Sequence, residues 1–156
     1  MIEKPAITDS KIDNVIAERW SGRAYDPLTP VSNDAITSIC EAARWAPSCY
    51  GDQPWRFIVW NKFEDEASWQ QAIDCLSPGN QGWAKNAPIL ILAASVHTFT
   101  HNGSENRWGA YDTGAASISL CLQATSLGLM THQMGGFDSD KIKLLAKAPK
   151  DTNCWA

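Results

Sequence analysis

One twelve-residue stretch decides how this chain is interpreted: Ala46-Pro47-Ser48-Cys49-Tyr50-Gly51-Asp52-Gln53-Pro54-Trp55-Arg56-Phe57. It follows an apolar run with helical spacing and leads into branched and aromatic residues that favour a strand. Pro47 ends the helix because it lacks a backbone donor and clashes with the preceding turn, and Gly51 permits backbone angles that a side chain would forbid. The stretch is therefore predicted to connect a helix to a strand. Ser48 and Cys49 would offer small polar groups to a flat ligand, and an ordinary structural loop is the alternative.

Length and charge indicate one globular domain without a general affinity for polyanions. A chain of 156 residues can bury about two thirds of its unfolded surface, which suffices for a single core. Its 13 Lys and Arg against 17 Asp and Glu give a net charge of -4. This balance provides no overall attraction to nucleic acid or to an anionic membrane, so any bound phosphate must be held locally.

The cysteines and the uncharged segments predict a cytoplasmic protein. The five cysteines are widely spaced and form no Cys-x-x-Cys pair, so they indicate neither a disulfide framework nor a zinc site. Residues 1–5 lack the layout of a signal peptide. The long uncharged run from Thr113 to Phe137 contains too many polar residues for a membrane span and is predicted to be a buried helix followed by a connector.

Hydrophobic spacing and turn residues predict five helices and two strands. The helices are expected at Thr8–Trp20, with Thr8, Asp9 or Ser10 as the cap, at Asn33–Ala46, Glu64–Leu76 and Trp108–Leu127, and at Ser139–Lys147, with Ser139 as the cap. The strands are expected at Arg56–Trp60 and Pro88–Ser95, and Ser77–Gly82 is predicted to be a loop. Trp108–Leu127 has apolar or small residues on nearly every face, so this helix is expected to be buried all round.

Arg19, Ser21 and Arg23 form a candidate phosphate site at the end of the first predicted helix. The planar guanidinium group donates two parallel hydrogen bonds to a phosphate, and a nearby hydroxyl can donate another. The alternative is structural, because a cation in the last helical turn interacts favourably with the helix dipole.

Two other arrangements of reactive side chains are weaker candidates. His97 and His101 stand four residues apart, but the surrounding Thr, Asn and Gly residues predict a loop, and no carboxylate or thiol completes a metal site. Cys49 with the distant His132 would be needed for a cysteine-nucleophile enzyme, and no spacing supports that pairing.

Four stretches together resemble the FMN-dependent nitroreductase family. Arg19-Trp20-Ser21-Gly22-Arg23 resembles its R-x-S-x-R element, and Ala46-Pro47-Ser48 with Gln53-Pro54-Trp55 resembles its A-P-S-x-x-N-x-Q-P-W element. The helix from Asp112 resembles the family's central helix, which opens with D-x-G-x-A, and Gly136-Phe137-Asp138 matches its G-F-D element. The order and spacing agree with the family over nearly the whole chain.

The resemblance implies a set of FMN-binding residues. The FMN phosphate would be held by Arg19, Ser21 and Arg23, with Trp20 at a position where the family often has a basic or polar residue. Pro47, Ser48, Cys49 and Gly51 would contact the edge of the flavin held mainly by the opposite subunit. Asn80 or Gln81 would donate to the pyrimidine edge, and the backbone of Met134, Gly135 and Gly136 would lie beside the ring. No catalytic side chain and no metal ligand are expected, because the cofactor carries the chemistry.

The implied fold is α+β, with a central, mostly antiparallel sheet wrapped by helices in an intertwined homodimer. The implied function is NAD(P)H-dependent oxidoreduction: FMN takes a hydride from NADH or NADPH, and a small acceptor such as a nitroaromatic or quinone is then reduced. A flavin-binding or interaction protein with little turnover is the alternative. No G-x-G-x-x-G fingerprint is present, so the nicotinamide has no Rossmann site of its own.

Two departures from the family pattern qualify these expectations. Gly51 stands where the family has an Asn that touches the flavin, so only a backbone contact is available there. Related proteins also continue through a further strand and a tail with a basic residue near the phosphate, whereas residues 1–156 form a single, C-terminally short domain in which Cys154-Trp155-Ala156 resembles the opening of that strand. The chain is thus expected to be either a shortened or a truncated member, and the resemblance alone predicts neither its FMN affinity nor its dimer stability.

Overall fold

The computed structural model describes residues 4–156, so part of the N-terminal stretch used to argue against a signal peptide lies outside the described residues. In chain order the elements are α1 Asn14–Glu18, α2 Asn33–Arg44, β1 Trp55–Asn61, α3 Glu66–Asp74, α4 Pro78–Ala84, β2 Ile89–Val96, α5 Gly109–Ser126, α6 Ser139–Leu145 and β3 Thr152–Cys154. A single 3₁₀ turn, Cys49–Gly51, lies in the connector before β1. None of the helices in this part of the chain has the length and apolar character needed to cross a membrane.

The strands form one antiparallel sheet in the order β1-β2-β3. The register runs from Trp55 opposite Ser95 to Asn61 opposite Ile89, and on the other side of β2 Val96 pairs with Thr152. Beyond β3 the pairing continues, because the Trp155 amide donates to the Ala93 carbonyl at 2.8 Å. The α+β class is thus confirmed, and the chain end forms the strand that its sequence indicates.

Helices cover both faces of the sheet, and each face has its own core. Alternate residues of a strand point to opposite faces. Leu90 and Leu92 accordingly join one core with α3 and α6, while Ile91 contacts a second core built from α2 and α5. The burial pattern of β2 confirms the prediction that this strand is covered on both faces. Each fully buried large apolar side chain stabilises the fold by about 1.5–3 kcal/mol.

The first helix is much shorter than predicted. Only Asn14–Glu18 are helical, and the cap is Asp13, whose carboxylate accepts from the Val15 amide at 3.0 Å. The expected caps Thr8, Asp9 and Ser10 are wrong because the Asp13 carboxylate accepts from the first turn, so the helix begins only after Asp13. Residues 19–25 therefore follow α1 as an irregular segment instead of forming its last turn.

The predicted loop Ser77–Gly82 is also wrong, since Pro78–Ala84 form the helix α4. Pro78 occupies the first helical turn, where its missing N–H costs nothing. At α6 the predicted cap Ser139 is replaced by Asp138, whose side chain accepts from the amides of Asp140 and Lys141. The carboxylate there satisfies two free donors of the first turn, as a cap must.

Within residues 4–156, one face of α5 is exposed, so the predicted burial all round is not reached in a single chain. Asp112, Thr113, Ala116 and Leu120 are buried, whereas Tyr111 is 77% and Ile118 44% exposed. The apolar composition of the helix therefore exceeds what the fold of one chain buries.

Candidate functional site

Residues 19–25 present two cationic side chains without anionic partners. Arg19 Nη1 lies 3.5 Å from Ser21 Oγ, so these two candidates point to the same place. Neither Arg19 nor Arg23 takes part in an ion pair within residues 4–156, where the ion pairs are Arg44 with Glu41 and Lys141 with Asp138. Because an Arg fork with no carboxylate can bind a phosphate bidentately, this segment fits the proposed phosphate group.

Trp20 and Gly22 fix the shape of the same segment. Gly22 is buried, and a Cβ at this position would lie 2.0 Å from Met130 Sδ. Trp20 is half-buried beside Gly22, and the Lys4 ammonium lies 5.7 Å from the centre of its ring. Trp20 therefore packs the segment, and its ring also holds the Lys4 ammonium group.

The segment is packed against residues 130–136 and against α4. His132 Nδ1 lies 3.1 Å from the Gly22 carbonyl oxygen. The His132 ring lies tilted against Trp83 of α4, with 4.5 Å between ring centres, and the Arg23 guanidinium lies 5.6 Å from the centre of that Trp83 ring. The Tyr25 ring stacks on Trp83 with 6.2 Å between ring centres, and burial raises the pKa of Tyr25 to about 12.

Gly136 is held tightly by the turn that precedes α4. Its carbonyl accepts from the Ser77 amide at 2.9 Å and from Asn80 Nδ2 at 3.0 Å. A Cβ on Gly136 would lie 2.7 Å from Asn80 Nδ2 and 2.8 Å from Ser77 Oγ, so no larger side chain fits without a shift. Glycine is needed at position 136 because Ser77 and Asn80 lie so close to it. One donor of the Asn80 amide is already used by the Gly136 carbonyl.

Met134, Gly135 and Gly136 leave backbone donors free. Within the described part of the chain, none of their amides has an acceptor, and the space around Gly135 is open. A ligand with ring acceptors fits these donors, because an unpaired amide gains a partner on binding. Met134 packs against the core beside α3.

Gln81 is less available than the sequence suggests. Its Nε2 donates to the Leu76 carbonyl at 2.8 Å, which ties the side chain to the start of α4. Within residues 4–156, the second hydrogen of Gln81 Nε2 remains free to donate, so the contact of Gln81 with a ligand stays a prediction.

The connector at residues 47–51 is strained and anchored to α5. Tyr50 has φ +54° and Gly51 φ +66°, values in the left-handed region where only glycine is unstrained. The buried Asp112 carboxylate accepts from the Cys49 amide at 2.9 Å, and Ser48 Oγ accepts from the Gln53 amide at 3.1 Å. Such strain persists where the surroundings hold it in place, often at functional sites. Pro47 is exposed just before this turn.

The connector faces the loop that follows β2. Tyr50 packs edge-on against Phe99 at 5.7 Å and His101 at 5.5 Å, and the Thr100 amide donates to Asp52 at 2.9 Å. An open cavity of about 500 Å³ is lined here by Tyr50, Gly51, Asp52, Thr100 and His101. Within residues 4–156, no three His, Cys, Asp or Glu side chains cluster as metal ligands.

The sequence predicts FMN contacts in four segments: residues 19–23, 47–51, 80–81 and 134–136. The hydrogen bonds and ring contacts in the described part of the chain join three of these segments and do not include residues 47–51. Residues 19–23, 77–83 and 134–136 are linked through His132, Trp83 and Gly136. The hydrogen bonds and ring contacts described for residues 47–51 all lead instead to α5, to neighbouring connector residues and to the loop after β2. The Cys49 amide donates to Asp112 and His132 Nδ1 donates to the Gly22 carbonyl, and no hydrogen bond within residues 4–156 joins the Cys49 thiol to His132.

Sequence reasoning missed four residues that shape the site: Tyr25, Trp83, Asp112 and His132. Asp112 was visible as the first residue of the recognised helix motif, and its carboxylate binds the connector. The other three are aromatic residues far apart in the chain, and only the folded structure shows that they meet.

The comparisons with known proteins agree with this architecture. Residues 16–155 match the model of the Nitroreductase family. The Bacillus subtilis (strain 168) protein "Putative NAD(P)H nitroreductase YdgI" is 44% identical, with 82% of this chain and 76% of that protein covered. A solved structure described as an oxidoreductase containing FMN superposes with a TM-score of 0.91 at 35% identity, over 100% of this chain and 79% of the other. A protein from Desulfovibrio desulfuricans solved in complex with FMN has a TM-score of 0.73 at 25% identity, over 91% and 80%. This chain therefore belongs to the nitroreductase family.

Proposed function

We propose that this FMN-dependent NAD(P)H oxidoreductase binds FMN across the three segments that the fold brings together. The phosphate is bound by Arg19, Ser21 and Arg23, and the ring acceptors are bound by the free amides of Gly135 and Gly136. The observation that carries this proposal is that unpaired arginines and unpaired amides lie on segments packed directly against one another. Relatives named as NAD(P)H nitroreductase and NAD(P)H-flavin oxidoreductase support the same reaction.

The chain's own residues supply binding and orientation. FMN, when bound, accepts a hydride from NAD(P)H and delivers electrons to a second substrate. The two guanidinium groups neutralise the phosphate, and the Ser21 hydroxyl can donate a further hydrogen bond. Backbone amides at Gly135 and Gly136 hold ring acceptors in a fixed orientation, at no cost in side-chain entropy. The relatives' names support a nitro compound as the acceptor, and a nitroaromatic or a quinone is the acceptor that we propose.

We further infer that the active form is a homodimer, in which residues 47–51 serve the FMN of the other subunit. Two observations support this: within residues 4–156, no hydrogen bond or ring contact joins the connector to the other three segments, and α5 exposes an apolar face. Tyr111, Gly114 and Ile118 lie at helical spacing on that face. Replacing Ile118 with Lys is expected to shift the chain from dimer to monomer in sedimentation velocity, and a wild-type monomer at micromolar concentration would contradict the dimer.

We propose that the protein is cytoplasmic, since its five free cysteines suit a reducing environment.

The experiment that tests the function is a visible spectrum of the purified chain with FMN, before and after anaerobic NADPH or NADH. We expect a bound-flavin spectrum that bleaches on adding a nicotinamide. Bound flavin without bleaching would favour the alternative, a flavin-binding protein with little turnover. Failure to bind FMN at all would contradict the proposal.

A matched pair of variants tests the phosphate site. Arg23→Ala removes a charge-assisted contact worth about 1.5–3 kcal/mol, so the FMN dissociation constant should rise about 10- to 100-fold. Arg44→Ala is the control, because Arg44 pairs with Glu41 on the exposed surface of α2 and lies outside all four segments. Equal affinities for the two variants would show that Arg23 does not bind the phosphate.

A further inference from the structure

Within residues 4–156, one hydrogen bond joins the segment that carries the proposed phosphate ligands to other parts of the protein, beside its packing on Met130 and Trp83. Residues 19–25 have no regular secondary structure, and among the hydrogen bonds of residues 4–156 only His132 Nδ1 to the Gly22 carbonyl leads out of the segment. A carbonyl oxygen can only accept, so Nδ1 of His132 carries the hydrogen. The imidazole of His132 thus supplies the hydrogen bond that orients the segment's backbone at Gly22.

The imidazole is itself fixed by packing. Its ring lies 4.5 Å from Trp83, which also contacts Arg23 at 5.6 Å and Tyr25 at 6.2 Å. His132 and Trp83 are both partly buried, so the ring cannot turn freely to another partner. The hydrogen bond to Gly22 is therefore directional, and it falls between Arg19 and Arg23.

We propose that His132 is a positioning residue for the FMN phosphate: its Nδ1–H holds the Gly22 carbonyl and so fixes Arg19, Ser21 and Arg23 before the cofactor binds. This inference rests on the proposed function, because it assumes that these three residues bind the phosphate. Fixing the segment in advance raises affinity, since the cost of ordering it is not incurred on binding.

Two substitutions separate the hydrogen bond from the ring packing. His132→Phe keeps a ring on Trp83 and removes the donor, whereas His132→Asn keeps a donor nitrogen at the same distance along the side chain and removes the ring. Ser95→Ala is the control, because it deletes the 2.7 Å hydrogen bond from Trp155 Nε1 to Ser95 at the sheet, outside the four segments. All three variants are compared as full chains.

The first measurement is the rate of tryptic cleavage after Arg19 and Arg23 in the FMN-free protein, followed by mass spectrometry. Local opening makes a segment susceptible to proteolysis. Cleavage should be about fivefold faster in His132→Phe, close to wild type in His132→Asn, and unchanged in Ser95→Ala, as expected from the loss of one neutral hydrogen bond. Cleavage after Lys147 serves as the internal reference and should not change.

The second measurement is FMN affinity, from the quenching of flavin fluorescence. The dissociation constant should rise about five- to tenfold in His132→Phe and remain near wild type in His132→Asn and Ser95→Ala. If Arg23→Ala weakens binding while His132→Phe does not, the inference is overturned and the proposed function stands. Equal losses in Phe and Asn variants would assign the effect to ring packing and also overturn it. A wild-type chain that binds no FMN would overturn both proposals.

Discussion

Replacing Gly136 with alanine tests the packing that shapes the predicted ring-binding backbone. The new Cβ would lie 2.7 Å from Asn80 Nδ2 and 2.8 Å from Ser77 Oγ, both inside the limit at which something must move. Ser77 Oγ can rotate away, but Asn80 Nδ2 also donates to the Gly136 carbonyl at 3.0 Å. Moving the amide therefore loses a hydrogen bond worth about 1 kcal/mol.

The neighbouring glycine provides the matched control. Nothing lies within 4 Å of a Cβ on Gly135. Neither Gly135 nor Gly136 has a positive φ, so alanine suits both backbones. An unstrained Gly-to-Ala change stabilises a protein by about 0.4–1 kcal/mol through the unfolded chain, whereas overpacking costs about 1–3 kcal/mol. We expect Gly135→Ala to be neutral or stabilising and Gly136→Ala to be destabilising by about 1–2 kcal/mol.

The assay is urea unfolding of the FMN-free chain, followed by tryptophan fluorescence, so that cofactor affinity does not contribute. Asn80→Ala completes a double-mutant cycle, because it removes the side chain that the new methyl group meets. Gly136→Ala should cost about 1 kcal/mol less in the Asn80→Ala background than in the wild type. Equal stabilities of the Gly135→Ala and Gly136→Ala proteins, or a cycle with no coupling, would refute the packing argument.

Three further predictions follow from single contacts. Gly22→Ala should destabilise the chain by about 1 kcal/mol because its Cβ would lie 2.0 Å from Met130 Sδ, and Met130→Ala should relieve most of that cost in urea unfolding. Asp112→Ala should cost about 1–3 kcal/mol, since the Cys49 amide loses its acceptor, while Asp112→Asn should cost less because its amide oxygen still accepts. Burial raises the Tyr25 pKa from 10.0 to about 12, so between these pH values the folded state keeps a proton that the unfolded state loses, and stability falls as pH rises. For a half-exposed phenol that decline is about 1 kcal/mol and should be absent in Tyr25→Phe, as measured by melting temperature from pH 9 to 12.

The sequence predicted the elements whose signals are local and periodic. β2 was predicted within one residue at either end because a continuous apolar run of strand length has few alternatives, and Pro47 marks the end of α2 by its own covalent structure. The predictions failed where two local signals compete. At α4, Pro78 and Gly79 favour a loop by composition, yet proline in the first helical turn is compatible with a helix. Near α1 several residues could serve as caps, and only the fold selects Asp13.

The site was predictable only in part, since its missing members are joined by long-range contacts. Arg19, Ser21 and Arg23 stand in one short motif, so their proximity follows from the chain itself. The ring contact between Trp83 and His132, and the hydrogen bond from His132 to Gly22, join residues up to 110 positions apart in sequence. No periodicity or motif spacing signals such a contact. The roles of these aromatic residues could therefore come only from the folded structure.

The difference between predicted and observed burial of α5 carries information about assembly. The apolar composition of α5 indicates that the helix is stable when it is buried on all faces. The exposure of Tyr111 and Ile118 shows only which residues one chain leaves uncovered. An exposed apolar face on a long helix attracts other apolar surfaces. Residues whose sequence context predicts burial and whose side chains remain exposed should then mark the contact with a second copy. Tyr111 and Ile118 meet both conditions, so their exposure of 77% and 44% should fall together in the proposed homodimer.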